Sequence, residues 1–270
     1  MHFGSKTEMT RDLFRTPIAV FLVAALSTLG LLASPAVASD WLDWRGPSQT
    51  GESPERNLIA SWSRESGENL LWRQDFIGRA SAAVHDGRVF VTGRGGEGKT
   101  QHEKLAAYDA ETGALLWERQ LTVQLTTVPF QRAGWAAPVV DRETGYVYAQ
   151  GIAGPLVAYD RDGALVWERL LSEEVGRYSG YGGRTHTPLI DEDLLILSVV
   201  NTGWGEFGAP RHRYWAFDKR TGDVIWISSP GGQPYDLNTT ANGVVAVVDG
   251  RRLYINGNAD GHIYACLLYT

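Results

Sequence analysis

Short apolar runs separated by turn residues recur along most of the chain. The runs are rich in β-branched and aromatic residues, and they end at pairs such as Asp-Gly and Thr-Gly. This pattern is typical of antiparallel strands joined by tight hairpins, in which glycine supplies the positive φ of the turn. No segment shows convincing helical periodicity over more than about ten residues. The pattern predicts an all-β fold.

A repeated phrase ends each of four consecutive groups of strands. It joins an aromatic-Asp pair, a turn that ends in Gly, an apolar pair and a Trp. Its copies are "YDAETGALLW" (108–117), "YDRDGALVW" (159–167), "FDKRTGDVIW" (217–226) and, without the front half, "GENLLW" (67–72). The tryptophans are 45, 50 and 59 residues apart, and four-stranded units at such a period are typical of β-propeller blades. A stacked β-solenoid is the alternative, although its repeats are usually shorter and contain fewer hairpins.

We expect the repeated residues to be structural. Each Trp recurs at an equivalent position, where its ring can fill the seam between two blades and its indole N–H can donate to a backbone carbonyl. Each Asp of the aromatic-Asp pair can cap its turn through its side chain. These residues are Trp72, Trp117, Trp167, Trp226, Asp109, Asp160 and Asp218.

The first 38 residues are interpreted as a signal peptide. Basic residues up to Arg15 precede an apolar run from 18 to 33, and the small residues at 36–38 offer a cleavage site. The run is short for a membrane span, so no stable span is expected after cleavage, and a signal anchor is the alternative. The mature protein is therefore predicted to be periplasmic or secreted.

Charge and cysteine content narrow the function classes. The formal net charge is −6, and an acidic chain without a basic stripe argues against nucleic acid as a partner. The single cysteine, Cys266, excludes an internal disulfide framework, and no cysteine stands directly after the apolar run of the leader to carry a lipid.

The stretch "GRGGEGKT" (93–100) matches the phosphate-binding P-loop, G-x-x-x-x-G-K-[ST]. A P-loop requires a helix that starts at Lys99, whereas the residues after this stretch lead into the aromatic-Asp end of a repeat strand. We interpret the match as a glycine-bearing hairpin loop and predict no nucleotide binding at Gly93.

Long connections are concentrated on one face of the predicted propeller, here called the long-loop face. They are residues 94–103, 121–134, 171–184, 201–212 and 229–238. Long loops on a rigid scaffold commonly carry binding residues. The candidate ligand-binding residues are Trp135, Tyr178, Tyr181, Arg184, His186, Trp204, Arg211 and His212. His186 and Arg184 could bind an anion and the tyrosines could stack on a sugar or quinone; the alternatives are a backbone-bonded histidine and a plain surface loop.

The phrases at 105–121 and 156–171, and the opening at 40–62, resemble the pyrroloquinoline-quinone-like (PQQ-like, quinoprotein alcohol dehydrogenase-like) β-propeller repeat family. The resemblance implies one of three uses: quinone-dependent dehydrogenation of alcohols or sugars, scaffolding of outer-membrane protein assembly, or an exported propeller without assigned activity. For the dehydrogenases it implies PQQ and Ca²⁺ near the propeller axis, held by carboxylates and an Asn. The chain lacks the adjacent cysteines that many of these enzymes carry, and no Ca²⁺ ligand set can be matched to it.

The repeat pattern fails at Cys266, which predicts a non-native tail and an N-terminal fragment with about three complete blades and one partial blade. The predicted parts are a signal peptide (1–38), an N-terminal segment with a closing strand (39–78), the incomplete propeller (79–265) and the tail (266–270).

From these observations we predict a non-catalytic binding or scaffold module with no evident cofactor or metal. Its long-loop face would contact a protein, a small molecule or a sugar. One alternative is a PQQ- and Ca²⁺-dependent dehydrogenase whose catalytic residues lie in missing blades, and the other is an outer-membrane assembly scaffold.

Overall fold

Four antiparallel sheets follow one another along the part of the chain that the structure describes. The computed structural model describes residues 40–123, 130–176, 185–201, 208–231 and 241–268. In each sheet, consecutive strands are neighbours, as expected for propeller blades. Blade 1 has β1 (Ala83–His85), β2 (Arg88–Gly95), β3 (His102–Asp109) and β4 (Leu115–Val123); blade 2 has β5 (Val139–Val140), β6 (Val147–Gln150), β7 (Pro155–Tyr159) and β8 (Leu165–Leu170).

The third and fourth sheets differ in strand number. Blade 3 has β9 (Leu189–Asp191), β10 (Leu194–Asn201), β11 (Arg211–Asp218) and β12 (Val224–Ser228); blade 4 has β13 (Val244–Val248), β14 (Arg251–Gly257) and β15 (Ile263–Leu267). The described helical segments are one short helix, α1 (Leu171–Val175), and 3₁₀ turns at Gly98–Thr100 and Phe130–Arg132. The predicted all-β architecture of four-stranded antiparallel blades is confirmed.

The P-loop match forms a hairpin connection between β2 and β3. Lys99 lies in the 3₁₀ turn Gly98–Thr100, and the chain enters β3 at His102. Gly96 has a φ of 76°, and a side chain there would meet the backbone oxygen of Thr100 at 2.0 Å. The glycines of this stretch therefore serve a tight loop, and the helix that a P-loop requires at Lys99 is replaced by a strand.

The hydrophobic core lies in the seams between blades. One cluster joins blades 1 and 2 around Phe90 and Trp117, another joins blades 2 and 3 around Tyr148 and Trp167, and a third joins blades 3 and 4 around Tyr254. Each blade buries one face against the next, which explains why a single repeat could not be stable alone.

The same tryptophan contact occurs three times among the described residues. It is found on the side of blade 1 that faces away from blade 2, between blades 1 and 2, and between blades 2 and 3. The indole N–H donates to the carbonyl that follows the turn Asp of the next blade, and the ring covers the glycine of that turn. The bonds are Trp72 to Ala110 (2.8 Å), Trp117 to Arg161 (2.9 Å) and Trp167 to Lys219 (3.0 Å). A Cβ on the covered glycine would lie within 2.6–2.7 Å of the ring; these glycines are Gly113, Gly163 and Gly222.

The aspartates of the aromatic-Asp pairs cap the adjacent turns. Asp109 accepts from the backbone N–H of Thr112 at 2.8 Å, and Asp218 accepts from the backbone N–H of Thr221 at 2.9 Å. Asp160 accepts from the backbone N–H of Ala164 at 2.8 Å. Thr112 also donates its hydroxyl to Asp109, and these bonds lower the pKa of the Asp109 carboxyl below its usual value.

The N-terminal segment Asp40–Gly46 lies against the innermost strands of two blades. Trp41 exchanges two backbone hydrogen bonds with Val84 of β1, at 2.9 and 2.7 Å. The carbonyl of Leu42 then accepts from the N–H of Val140 in β5 at 2.9 Å. The segment therefore joins blades 1 and 2 at their inner edges.

The predicted signal peptide and its cleavage site lie outside the described residues, so the leader stays a prediction. Among the described residues, no helix has the length and apolar character needed to span a bilayer.

Candidate binding site on the long-loop face

The structure places the candidate ligand-binding residues in two different environments. Trp135 is 38% exposed and Arg211 is also exposed, whereas His186 is only 4% exposed and His212 only 1%. Their role in ligand binding stays a prediction. The other candidates, Tyr178, Tyr181, Arg184 and Trp204, lie outside the described residues.

The two histidines belong to a buried polar cluster in the seam between blades 3 and 4, at its long-loop end. We call this the seam cluster. Its members come from the approach to β9, from β10, from β11 and from β14 and the loop after it. They are His186, Ser198, His212, Asn256 and Asn258, all at most 9% exposed.

Hydrogen bonds within the seam cluster fix the tautomer of His212. Its Nδ1 lies 3.0 Å from the backbone N–H of Ala259, which can only donate, so Nδ1 accepts. The proton of the neutral ring is then on Nε2, which lies 2.8 Å from Ser198 Oγ. Ser198 therefore accepts from His212, and it also accepts from Asn256 Nδ2 at 2.6 Å.

This arrangement is unsuitable for nucleophilic catalysis by Ser198. A general base must offer an unprotonated nitrogen to the hydroxyl that it activates. Nε2 of His212 carries the proton in this tautomer, and Ser198 is itself only 3% exposed. The Ser–His pair is thus a binding or structural arrangement.

Burial keeps both histidines uncharged. Desolvation lowers the pKa of His186 to about 3, and the neighbouring His212 adds to this effect. Desolvation also lowers the pKa of His212 to about 4, although the nearby Asp260 carboxylate works in the opposite direction. At neutral pH the seam cluster therefore presents uncharged donors and acceptors.

Two polar atoms of the seam cluster have no hydrogen-bond partner within the described part of the chain. They are Asn256 Oδ1 and Asn258 Nδ2. The other amide oxygen of the cluster, Asn258 Oδ1, does have a partner: it accepts from the Tyr214 hydroxyl at 2.8 Å. Buried polar atoms in folded proteins nearly always have partners, so these two atoms leave one acceptor and one donor of the cluster unused among the described residues.

A buried carboxylate, Glu103, occupies a similar position in the seam between blades 1 and 2. Glu103 precedes Asp109 by the same number of residues as His212 precedes Asp218. Its two carboxylate oxygens accept from the backbone N–H of Gly134 at 2.8 Å and of Ile152 at 2.7 Å. Desolvation nevertheless raises the pKa of Glu103 to about 7. Sequence analysis missed this residue, although its repeat position was a usable signal.

The opposite face carries a network of ion pairs between blades. Lys219 is 3% exposed as a side chain, and its Nζ lies 3.1 Å from Asp141 and 2.9 Å from Glu143. Arg220 joins Glu143 to Asp193, and Arg252 pairs with Asp191. The charged residues of the short turns are therefore used to connect neighbouring blades.

A small cavity of about 150 Å³ opens beside the N-terminal segment on this same face. It is lined by Leu42, Asp43, Val140, Arg142 and Ile190, among others. Burial raises the pKa of the Asp43 carboxyl, although the backbone N–H of Arg45 donates to it at 2.6 Å. Sequence analysis did not anticipate this cavity because it depends on the path of residues 40–49.

The described residues do not fit the quinone and calcium site that the family resemblance implies. Calcium requires several oxygen ligands, chiefly carboxylates. No group of three or more His, Cys, Asp or Glu side chains suited to a metal occurs among the described residues. The seam cluster offers neutral His, Asn and Ser groups and contributes no carboxylate, so it lacks the charged ligands that Ca²⁺ sites chiefly use.

Antiparallel sheets of three or four described strands, packed in sequence order through their faces, define this protein as a β-propeller of repeated blades. The family model described as outer membrane protein assembly factor BamB, a model of PQQ-like repeats, matches residues 55–137 and 131–268. The chain belongs to this PQQ-like repeat family.

Solved structures with a similar arrangement share little sequence with this chain. A quinohemoprotein alcohol dehydrogenase (ADHIIG) from Pseudomonas putida HK5 is 18% identical, with a TM-score of 0.47, over 70% of this chain and 32% of that chain. Sqt1 from Saccharomyces cerevisiae is 14% identical, with a TM-score of 0.43, over 67% and 42%. BamB from Moraxella catarrhalis is 16% identical, with a TM-score of 0.32, over 75% and 78%. The chain therefore spans about a third of the dehydrogenase, and no curated protein matches significantly.

Proposed function

We propose that this chain is an exported, periplasmic or secreted propeller that binds a ligand through its long-loop face without catalysing a reaction. The observation that carries the proposal is the pair of buried seam-cluster atoms without a partner among the described residues, Asn256 Oδ1 and Asn258 Nδ2. The protonated Nε2 of His212 supports a non-catalytic role, because it leaves Ser198 without a base.

The chemistry of the seam cluster favours an uncharged ligand rich in hydroxyl groups, that is, a neutral sugar. A hydroxyl both donates and accepts, so it can meet Asn256 Oδ1, which only accepts, and Asn258 Nδ2, which only donates. Both histidines are neutral at physiological pH. The buried Asp260 carboxylate beside His212 disfavours an anionic ligand, which would also lose its hydration.

Asn258→Asp tests the proposal directly. The variant keeps an oxygen that can accept from the Tyr214 hydroxyl, but it replaces the unpaired Nδ2 donor by an acceptor. Titration calorimetry with glucose, maltose and trehalose should show affinity weakened about tenfold, because a hydrogen bond to the ligand is lost. Asn57→Asp, at an exposed asparagine of the N-terminal region, is the matched control and should bind as the wild type does.

Two results would reject the sugar-binding function. One is the absence of heat for all three sugars with folded wild-type protein. The other is identical affinity in Asn258→Asp and Asn57→Asp. The dehydrogenase alternative has its own readout: dye reduction by the protein with added PQQ and Ca²⁺ and an alcohol or sugar would contradict the non-catalytic part of the proposal.

A further inference from the structure

The cavity beside the N-terminal segment is lined by two opposite charges that do not meet. Its volume is about 150 Å³, and it lies between residues 42–49 and the inner strands β5 and β9. Asp43 of the N-terminal segment and Arg142 of the turn after β5 both line it. Within the described part of the chain, neither side chain makes an ion pair. Opposite charges that share a cavity without pairing leave space for a ligand that carries both.

Other charged side chains around this cavity have partners. Asp141 also lines it, but its carboxylate accepts from Lys219 Nζ at 3.1 Å and from the Thr144 hydroxyl at 2.8 Å. In the neighbouring turns, Arg161 pairs with Asp86 at 2.6 Å. The ion pairs of this neighbourhood therefore leave out the two charges named above.

The carboxylate of Asp43 is held in place by the backbone. It accepts from the N–H of Arg45 at 2.6 Å, and burial raises its pKa. The Arg45 guanidinium lies over the Trp44 ring, 5.5 Å from its centre, and is the weakest influence on the pKa of Asp43. A ligand that carries a cation would therefore stabilise a carboxylate that is desolvated without a close counter-ion.

The remaining walls of the cavity are largely apolar. Leu42 and Pro47 line it from the N-terminal segment, and Val139, Val140 and Ile190 line it from the inner strands. Both valines are at most 2% exposed, so this wall belongs to the rigid core. Apolar walls with a few placed polar groups are typical of sites for small molecules. The cavity therefore suits a small ligand with a compact apolar group and two charges.

We propose that this cavity binds a free α-amino acid with an aliphatic side chain. The ammonium group of the ligand pairs with Asp43, and its carboxylate pairs with Arg142, whose guanidinium can hold a carboxylate through two parallel hydrogen bonds. The aliphatic side chain contacts Val139, Val140 and Ile190. The seam cluster lies on the opposite face, so this site is separate from the proposed sugar site.

Ligands that lack one feature at a time test the assignment. L-leucine should bind the purified protein in titration calorimetry. N-acetyl-L-leucine has no ammonium charge and L-leucine amide has no carboxylate, so each should bind at least about tenfold more weakly, through loss of one charge-assisted hydrogen bond. Glycine should also bind at least about tenfold more weakly than L-leucine, because it buries no side chain.

Two variants connect each charge of the ligand to its residue. Asp43→Asn keeps an oxygen that can accept from the Arg45 N–H, so the segment should keep its structure. This variant should bind L-leucine at least about tenfold more weakly and should no longer distinguish it from N-acetyl-L-leucine. Arg142→Gln should likewise no longer distinguish L-leucine from its amide. Asp75→Asn and Arg64→Gln, at exposed residues outside the cavity, are the matched controls and should bind as the wild type does.

Several results would overturn the proposal. One is the absence of heat for L-leucine with folded wild-type protein. Another is equal affinity for N-acetyl-L-leucine, which would mean that the ligand uses Arg142 alone, in the adjacent cavity of about 210 Å³ that this residue also lines. Equal affinity for glycine would show that the apolar walls take no part.

One further variant separates this proposal from the sugar-binding function. Asn258→Asp alters the seam cluster and should leave the affinity for L-leucine unchanged. A loss of L-leucine binding in Asn258→Asp would contradict a separate site. Retained L-leucine binding without any sugar binding would reject the proposed function and leave the amino-acid site standing.

Discussion

The indole nitrogen of Trp117 lies 2.9 Å from the carbonyl oxygen of Arg161 in the next blade, and the same ring covers Gly163. The hydrogen bond sets the position of the Trp117 ring along the seam. Because Gly163 has no side chain, the ring can also pack directly against its backbone. Its recurrence in successive seams makes it the unit by which one blade is attached to the next.

Gly163→Ala should destabilise the protein strongly. Gly163 has a φ of +80°, and a Cβ would lie 2.7 Å from the Trp117 ring, so both backbone strain and overpacking result. Gly145→Ala is the control, because its φ is +71° and nothing lies within 4 Å of its Cβ position. Chemical denaturation should show an additional loss of about 1–3 kcal/mol for Gly163→Ala over the control. Equal losses would mean that the ring has room to move.

Lys219→Met should also lower the free energy of unfolding. Burial opposes the charge on Lys219, but the bonds to Glu143 and Asp141 outweigh burial and raise its pKa. Removing the cation leaves the Asp141 carboxylate, itself 5% exposed as a residue, without its ion-pair partner, at a cost of about 3 kcal/mol. Arg220→Met removes an exposed cation from the same network and should cost far less. Thermal unfolding of the two variants compares them, and a larger loss for Arg220→Met would contradict this account.

Glu103 should make stability depend on pH near neutrality. The pKa of Glu103 is raised from 4.5 to about 7 in the folded state, so the fold binds a proton that the unfolded chain releases. The contribution of Glu103 to the free energy of unfolding is therefore greatest below pH 4.5. It falls by roughly 3 kcal/mol as the pH rises towards 7. Denaturation at several pH values should show a shallower dependence for Glu103→Gln than for the wild type. Glu97→Gln, at an exposed loop carboxyl, should keep the wild-type dependence.

His212 should produce the opposite dependence in acid. Its pKa is lowered from 6.5 to about 4, so the unfolded chain takes up a proton that the folded ring refuses. The stabilisation is complete above pH 6.5 and is lost as the pH falls towards 4. Nitrogen chemical shifts should show a neutral ring at pH 5.5 with its proton on Nε2. A protonated Nδ1 would refute the assigned hydrogen bond to Ala259 and with it the argument against catalysis.

The repeated residues were predictable because repetition itself reveals them. Four aligned phrases disclose Trp117, Asp109 and the turn glycine without any knowledge of distance, and they determine the fold class. The seam cluster was only partly predictable, since His186 and His212 attract notice as histidines in long connections. Their burial, however, arises from the packing of blade 4 against blade 3. Lys219 was missed because it looks like any charged turn residue until the neighbouring blade supplies Asp141.

The path of residues 40–46 has a consequence for the order of folding. Trp41 and Leu42 leave the ribosome long before Val84 and Val140, the residues whose backbones they bond. These contacts are far apart in sequence and must wait until both blades exist, so they carry the cost of closing a long loop. The contacts of this segment with blades 1 and 2 therefore form late in folding. Until then, the inner edges of blades 1 and 2 are open to chaperones and proteases.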